Sequence, residues 1–262
     1  SITNGTVTYD GVDQVVFSDD YYSLTAGGGS GTKTLGGAVT VAGAFTTDAL
    51  VTTAMGANNL TVAGATDING TVTITTATLD ANGTFDATDG NVTFTGAGNL
   101  MLSSTVTSLG ALTSVGFGTV TYDAPGDQAI VLDDYYSLTS GGGAGIKTLE
   151  GAVTVAGDFT TDANVTTAMG ANNLSVTGAT TIPGTVTIST ATLDANGTFD
   201  ATGGTITFSD AGNLTLASTV TDLGTLSINF GKVTYDGTAQ TIFADTYYDI
   251  TAGNANTKTL GD

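Results

Sequence analysis

Several residue types that carry chemistry in other proteins are missing from this chain of 262 residues. It contains no Cys, His or Trp, and its only basic residues are Lys33, Lys147, Lys232 and Lys258. Without Cys there is no disulfide and no thiol chemistry. Without His, the Ser-His-Asp and Cys-His catalytic sites and the usual zinc and haem sites are excluded. Among metal ions, only hard cations bound through oxygen ligands are not excluded by this composition.

Positive charge is scarce as well. The chain has four lysines and 24 acidic residues, all of them Asp except Glu150, so its formal net charge is -20. Nucleic-acid binding needs clustered Lys or Arg to neutralise phosphates. No apolar run approaches the roughly 20 residues that span a bilayer. We therefore expect no nucleic-acid partner and no membrane insertion.

The remaining composition favours strands and tight turns. The chain has 38 Gly and only 2 Pro, and it is rich in the β-branched residues Val, Ile and Thr. Gly and β-branched residues lower helix propensity. We therefore predict an all-β fold.

An internal repeat organises the whole chain. The segment Gly5–Asp10 returns at Gly118–Asp123 and, with one substitution, at Gly231–Asp236. We predict one continuous array over 1–262, made of units 5–117 and 118–230 and a partial unit 231–262. The third unit stops at Asp262, so we expect the chain to be cut from, or to end within, a longer array.

The two complete units are close enough in sequence to share one structure. Residues 38–88 match residues 152–202 at 44 of 51 positions. Ala44, Leu50 and Asn69 of the first unit are replaced by Asp, Asn and Pro in the second. We predict that these positions face solvent or lie in turns, because a packed interior would resist those changes. The predicted core positions keep their identity and alternate with Thr, Ala or Asn: Val39, Val41, Leu60, Val62, Val72, Ile74, Leu79 and Phe85.

Short alternating runs such as Val39–Val41 and Leu60–Val62 are bounded by Gly, Asn or Asp, which is typical of strands and turns. Such strands could form an antiparallel sandwich or a parallel coil of stacked turns. We favour a parallel β-helix, a β-solenoid, because the two runs are near repeats one turn apart and no domain linker is visible.

Runs such as Thr6–Tyr9, Tyr21–Thr25, Gly31–Gly36 and Val39–Val41 resemble the repeats of bacterial filamentous-haemagglutinin-like and autotransporter-like β-helical surface proteins. The resemblance extends over essentially the whole chain. It implies export, a right-handed parallel β-helix, and a role as a stalk, an adhesin or a matrix fibre. It carries no catalytic or binding residue.

Recurring acidic turns are the candidate metal sites. Calcium takes six to eight oxygen ligands, which turns rich in Asp, Asn and backbone carbonyls can supply. No EF-hand loop is present, so solvated acidic turns are the alternative. We expect no required cofactor, and the candidates for structural calcium are Asp10, Asp13, Asp19, Asp20, Asp123, Asp127, Asp133, Asp134 and Asp245.

The nine tyrosines fall into three equivalent sets, each ending in a Tyr-Tyr pair. Adjacent residues of a strand face opposite sides, so each pair should place one ring inside and one outside. The outer rings, Tyr22, Tyr136 and Tyr248, are candidate contacts to surface glycans or to a neighbouring filament. The alternative is a ring that lies on the surface of its own molecule.

These observations favour an extracellular or cell-surface structural protein, either a stalk or a self-assembling filament of a biofilm matrix. End-to-end self-association is the expected partner interaction, and a glycan-binding adhesin is the second hypothesis. Paired carboxylates can hydrolyse glycosides, but here they recur in every unit, so we predict that the chain is not an enzyme. Ice binding would need regular outward ranks of Thr, and the irregular spacing of the runs argues against it.

Overall fold

The computed structural model describes residues 4–227, 229–254 and 257–261. The chain is a parallel β-solenoid of about 13 turns, with turns about 20 residues apart. This confirms the predicted all-β fold. Every strand pairing in the described residues is parallel, which excludes the antiparallel sandwich. The predicted ranges also include residues 1–3, 228, 255–256 and 262, which lie outside the described residues.

The chain divides into two compact units, residues 1–123 and 124–262. The strands of the first unit are β1 (Thr6–Tyr9), β2 (Gln14–Val16), β3 (Asp20–Tyr21), β4 (Ser23–Ala26), β5 (Gly31–Leu35), β6 (Val39–Val41), β7 (Phe45–Thr47), β8 (Val51–Gly56), β9 (Leu60–Val62), β10 (Thr66–Ile68), β11 (Thr71–Ile74), β12 (Thr78–Ala81), β13 (Phe85–Asp86), β14 (Asn91–Phe94), β15 (Asn99–Leu102), β16 (Val106–Ser108), β17 (Ala111–Ser114) and β18 (Thr119–Tyr122).

Each strand from β1 to β15 pairs with the strand three places further along the chain. One turn therefore contributes one strand to each of three sheets: β1-β4-β7-β10-β13-β16, β2-β5-β8-β11-β14-β17 and β3-β6-β9-β12-β15-β18. Successive turns differ in length, because Thr6 is in register with Ser23 whereas Leu24 is in register with Phe45. The corners between sheets absorb this variation.

The second unit repeats this arrangement. Its strands are β19 (Gln128–Ile130), β20 (Asp134–Tyr135), β21 (Ser137–Ser140), β22 (Ile146–Leu149), β23 (Val153–Val155), β24 (Phe159–Thr161), β25 (Thr166–Gly170), β26 (Leu174–Val176), β27 (Thr180–Thr181), β28 (Thr185–Ile188), β29 (Thr192–Ala195), β30 (Phe199–Asp200), β31 (Thr205–Phe208), β32 (Asn213–Leu216), β33 (Val220–Asp222), β34 (Thr225–Leu226), β35 (Lys232–Tyr235), β36 (Gln240–Ile242), β37 (Ile250–Ala252) and β38 (Lys258–Leu260). They form the sheets β19-β22-β25-β28-β31-β34, β20-β23-β26-β29-β32-β35-β37 and β21-β24-β27-β30-β33, and the pair β36-β38.

The interior is built by strict alternation along the strands. In β6 and β9 the Val and Leu side chains point inward and the Thr side chains point outward. Because the strands are in register, each inward side chain stacks on the equivalent one of the next turn, as Val39 does on Leu60. All eight predicted core positions are buried. Among the described residues, no helix is long and apolar enough to cross a membrane.

Corners are the second determinant of the fold, because successive backbones approach closely there. Gly43, Gly64 and Gly83 occupy one corner in three successive turns, and the Gly64 amide donates to the Gly43 carbonyl at 3.1 Å. A Cβ atom on Gly83 would lie 2.2 Å from the Gly64 carbonyl oxygen. Only glycine therefore fits this corner without a shift of the backbone.

Candidate functional surfaces

The acidic turns use their carboxylates to cap backbone amides. Asp13 accepts a hydrogen bond from the Thr32 amide of the next turn at 2.8 Å, and Asp127 does the same for Ile146 at 2.9 Å. Asp19, Asp133 and Asp245 each accept from the amide that follows them, while Asp123 accepts from the Ser103 hydroxyl at 2.8 Å. Asp10, Asp20 and Asp134 are exposed. The hydrogen-bonded carboxylates join or close turns.

The described residues contain no group of three or more Asp or Glu side chains placed to hold one metal ion. The predicted calcium candidates are spread along the turns, and the hydrogen bonds above already occupy several of their oxygens. Structural calcium stays a prediction.

One acidic pair is electrostatically unfavourable. Burial raises the pKa of Asp133 above its ordinary value, and the adjacent charge of Asp134 adds to the rise, while the hydrogen bond from the Asp134 amide opposes it. A carboxylate that loses water without a cationic partner favours its neutral form. The ionised Asp133 is therefore a cost to the folded state at neutral pH.

The tyrosine pairs point to opposite sides, as predicted. Tyr21 is buried and Tyr22 is 39% exposed, while Tyr135 is buried and Tyr136 is half-buried. Tyr248, the equivalent outer ring in the partial unit, is 62% exposed. The Tyr22 ring lies against the Gly43 corner, where an added Cβ atom would meet its Cε1 at 3.4 Å. The outer ring thus covers part of its own molecule and still presents an edge to solvent.

The inner tyrosines form a closed hydrogen-bond ring. The Phe17 amide donates to the Tyr9 hydroxyl at 3.2 Å, the Tyr9 and Tyr21 hydroxyls lie 2.8 Å apart, and the Tyr21 hydroxyl donates to the Phe17 carbonyl at 2.9 Å. The two rings meet edge to face with centroids 6.4 Å apart. Burial, together with the Tyr9 contact, raises the pKa of Tyr21 well above its usual range. The phenol therefore stays neutral and structural.

The same ring recurs in the partial unit. Tyr235 and Tyr247 pair at 2.8 Å with centroids 6.4 Å apart, and both bond to the backbone of Phe243. Burial raises the pKa of both phenols. Sequence reasoning assigned the inner rings to the core but missed this pairing. The pairing could have been found from the spacing in sequence, because the separation from Tyr9 to Tyr21 equals that from Tyr235 to Tyr247.

Two lysines are fully buried, which sequence reasoning also missed. Lys33 donates from Nζ to the carbonyls of Gly11 at 2.6 Å and Val12 at 3.2 Å. Lys147 donates to the carbonyls of Ala124 at 2.6 Å and Gly126 at 2.8 Å. A buried ammonium is costly unless hydrogen bonds replace its water, and the carbonyls of the preceding turn do so. In the partial unit, Lys258 makes the equivalent bond to Gly237.

A sequence signal for these lysines existed. In the run Thr32-Lys33-Thr34-Leu35, Lys33 shares the inward alternation of Leu35, which is a core residue. Its register partner on the preceding turn is Gln14, and Lys147 and Lys258 face Gln128 and Gln240 in the same way. The side-chain oxygen of each of these glutamines accepts from a backbone amide of the same turn. The pairing of an inward lysine with a glutamine of the preceding turn thus recurs in both complete repeat units and in the partial unit.

Two side chains of the partial unit are exposed although their equivalents in the first unit lie in the core. Ile250 is 41% exposed and Leu260 77%, although the equivalent Leu24 and Leu35 are buried. Leu24 is covered because Phe45 of the following turn is its register partner. Among the described residues, β37 pairs only with β35. No pairing is described for its other edge.

Strand β1 also carries inward side chains that are incompletely covered. Val7 and Tyr9 on β1 are half-buried, whereas their equivalents Val233 and Tyr235 on β35 are buried. Strand β35 is flanked by β32 and β37, while β1 pairs within its unit only with β4. Within the described residues, β1 and β37 thus each carry incompletely covered apolar side chains beside an edge with no described pairing.

Comparisons with known protein families, with curated proteins and with solved structures find no match. The surfaces described above are therefore the basis for inferring function.

Proposed function

We propose that the chain is an extracellular structural β-solenoid, part of a cell-surface stalk or of a matrix filament that grows by end-to-end stacking. The observation that carries the proposal is the stacking of turns in register, which lets each turn cover the inward side chains of its neighbour. Strand edges for which no further pairing is described, such as those of β1 and β37, are templates for another strand. In repeat proteins, a turn is stable only when neighbouring turns cover its core.

The surface chemistry supports the same role. The chain carries a net charge of -20, and like charge disfavours unspecific side-by-side clustering. The edge side chains Ile250 and Leu260, by contrast, are apolar and exposed. Contact through these apolar strand edges is thus favoured over contact between charged surfaces. The proposal assigns no catalytic activity and no required cofactor.

Electron microscopy and sedimentation of the full chain over a concentration series test the filament. We expect filaments that lengthen with concentration and that disappear when Ile250 and Leu260 are both changed to Asp. The matched control changes Leu50 and Val115 to Asp, since these residues are also exposed and apolar but do not belong to β1, β37 or β38, and it should assemble normally. Monodisperse chains under every condition would contradict the filament and leave the stalk.

The same experiment with added calcium and with a chelator tests whether assembly depends on calcium. Filaments that form with added calcium and dissolve in chelator would assign the acidic turns to the metal. Filaments indifferent to chelator would show that the carboxylate caps suffice without it.

The exposed outer tyrosines favour one second candidate, a glycan-binding adhesin. Tyr22 and Tyr248 offer ring surface to solvent, and aromatic rings with a polar tip are enriched at interfaces. A glycan array tests it with the unmodified chain and with Tyr22→Ala and Tyr136→Ala. Binding that survives both changes would exclude these tyrosines as the contact.

A further inference from the structure

One sheet of the first unit carries two outward columns of threonine. We call it the threonine face and define it by the strands β5, β8, β11, β14 and β17. Register pairing places successive outward side chains directly beside one another. The first column is Thr32, Thr52, Thr71, Asn91 and Ala111, and the second is Thr34, Ala54, Thr73, Thr93 and Thr113.

The columns form a two-dimensional lattice. Outward residues along one strand are two positions apart, which is roughly 6.7 Å, and neighbouring strands are about 4.8 Å apart. A third rank continues past the strand ends, where the Thr75 and Thr95 hydroxyls meet at 2.9 Å. Within the part of the chain that the structure describes, the hydroxyls of Thr32, Thr52, Thr73 and Thr93 make no side-chain hydrogen bond. These hydroxyls are available to an external partner.

The five strands of the face carry no outward charge, in a chain with a net charge of -20, and the carboxylate of Asp13 lies beside the face, where it accepts from the Thr32 amide. The strand-borne carboxylates of the first unit lie on the other two sheets: Asp20, Asp67, Asp80 and Asp86. The lysine of the face, Lys33, points inward. No aromatic side chain points outward from these five strands, because Phe94 is buried.

The second unit carries the same face on β22, β25, β28, β31 and β34. Its first column is Ile146, Thr166, Thr185, Thr205 and Thr225, and its second begins Thr148, Ala168, Thr187 and Thr207. Its strand-borne carboxylates again lie elsewhere: Asp134, Asp194, Asp200 and Asp222. The arrangement is thus a property of the repeat.

Ice binding was disfavoured above because the runs are irregularly spaced in sequence, but the register pairing makes the outward ranks regular. The step in sequence from Thr52 to Thr71 differs from the step from Thr71 to Asn91, yet all three are register partners. The irregular spacing lies in the corners, so the ranks on the sheet are regular.

We propose that the threonine face binds the surface of ice. Water molecules in hexagonal ice repeat at distances close to the two spacings of this lattice. Each threonine offers a methyl group and a hydroxyl, which suit a surface of hydrogen-bonded water. The uncharged outward side chains match an uncharged partner, whereas an ionic ligand would need complementary charges. Aromatic rings, which are enriched at binding interfaces, do not point outward from these five strands.

Thermal hysteresis and the shaping of single ice crystals test the inference on the full chain. We expect both activities in the unmodified chain and their loss when Thr73 and Thr187 are both changed to Lys. The matched control changes Thr46 and Thr160, which are half-buried outward threonines on another sheet, to Lys. The control should keep its activity, and circular dichroism should show all three proteins folded.

Three outcomes would overturn the inference: no hysteresis and no crystal shaping in the unmodified chain, equal losses in the face and control variants, or retention of the chain by an insoluble uncharged polysaccharide without any effect on ice. Sedimentation in the same buffer keeps this result separate from filament assembly, because a monodisperse chain can still bind ice.

Discussion

Leu50 and Asn164 occupy the same turn of successive units and adopt the same left-handed backbone conformation, with φ of 66° and 69°. Leu50 is also 82% exposed. Among residues other than glycine, Asn tolerates this conformation best, whereas a Leu side chain is strained there. One repeat therefore carries the suitable residue and the other does not.

This predicts opposite effects of exchanging the two residues. Leu50→Asn should raise the free energy of unfolding by about 0.5–1 kcal/mol, and Asn164→Leu should lower it by a similar amount. Urea unfolding followed by circular dichroism measures both. Shifts of the same sign would show that the backbone conformation is not the cause.

The buried lysines should be essential to the stability of their turns. Lys33→Met keeps most of the side-chain volume but leaves the Gly11 and Val12 carbonyls without their donor. We expect a loss of about 2–4 kcal/mol, measured by the urea midpoint. Lys232, which lies half-buried on the outward side of β35, is the matched control, and Lys232→Met should cost less than about 0.5 kcal/mol. Equal losses would refute the role of the turn carbonyls.

Stability should depend on pH through Asp133. Because its pKa is raised in the folded state, the protonated form is favoured by folding, and the stability it contributes is lost as the pH rises through the raised pKa. Asp133→Asn should therefore raise the free energy of unfolding at neutral pH, by an amount that solvent screening of this half-buried group reduces. The gain should vanish below the ordinary pKa of 3.8.

Urea unfolding repeated across the acidic range makes this measurement. Asp89→Asn, at an exposed turn, makes the same charge change and controls for net charge. An equal gain in both variants would assign the effect to the overall charge of the chain and not to the burial of Asp133.

The glycine corner predicts a steric effect. Gly83→Ala would drive a Cβ atom into the Gly64 carbonyl, and the forced backbone shift should cost about 1–3 kcal/mol. Gly126 has nothing within 4 Å of an added Cβ atom. Gly126→Ala should be neutral or stabilising by about 0.4–1 kcal/mol, because it restricts the unfolded chain. Thermal melts of both variants make the comparison, and a loss in Gly126→Ala as large as that in Gly83→Ala would contradict it.

Much of the architecture was predictable because it depends on local patterns. Alternation with a period of two placed Val39, Leu60 and Phe85 in the core, and substitution between repeats placed Leu50 in a turn. Side-chain direction along a strand is a property of two adjacent residues, so a single sequence reveals it. The outward position of Tyr22 followed from the same rule.

The sequence by itself thus determined the repeat, the strands, the turns and the inward side of each strand. The tertiary structure alone decided which residues of different turns meet: Lys33 with Gly11, Tyr9 with Tyr21, and Thr71 with Asn91. The physical reason is the register. Turns differ in length, and the corners absorb that variation through close packing of successive backbones, which no local pattern encodes. A shift of a single position in the register would exchange the inside and outside of a strand, so the candidate surfaces exist only once the turns are stacked.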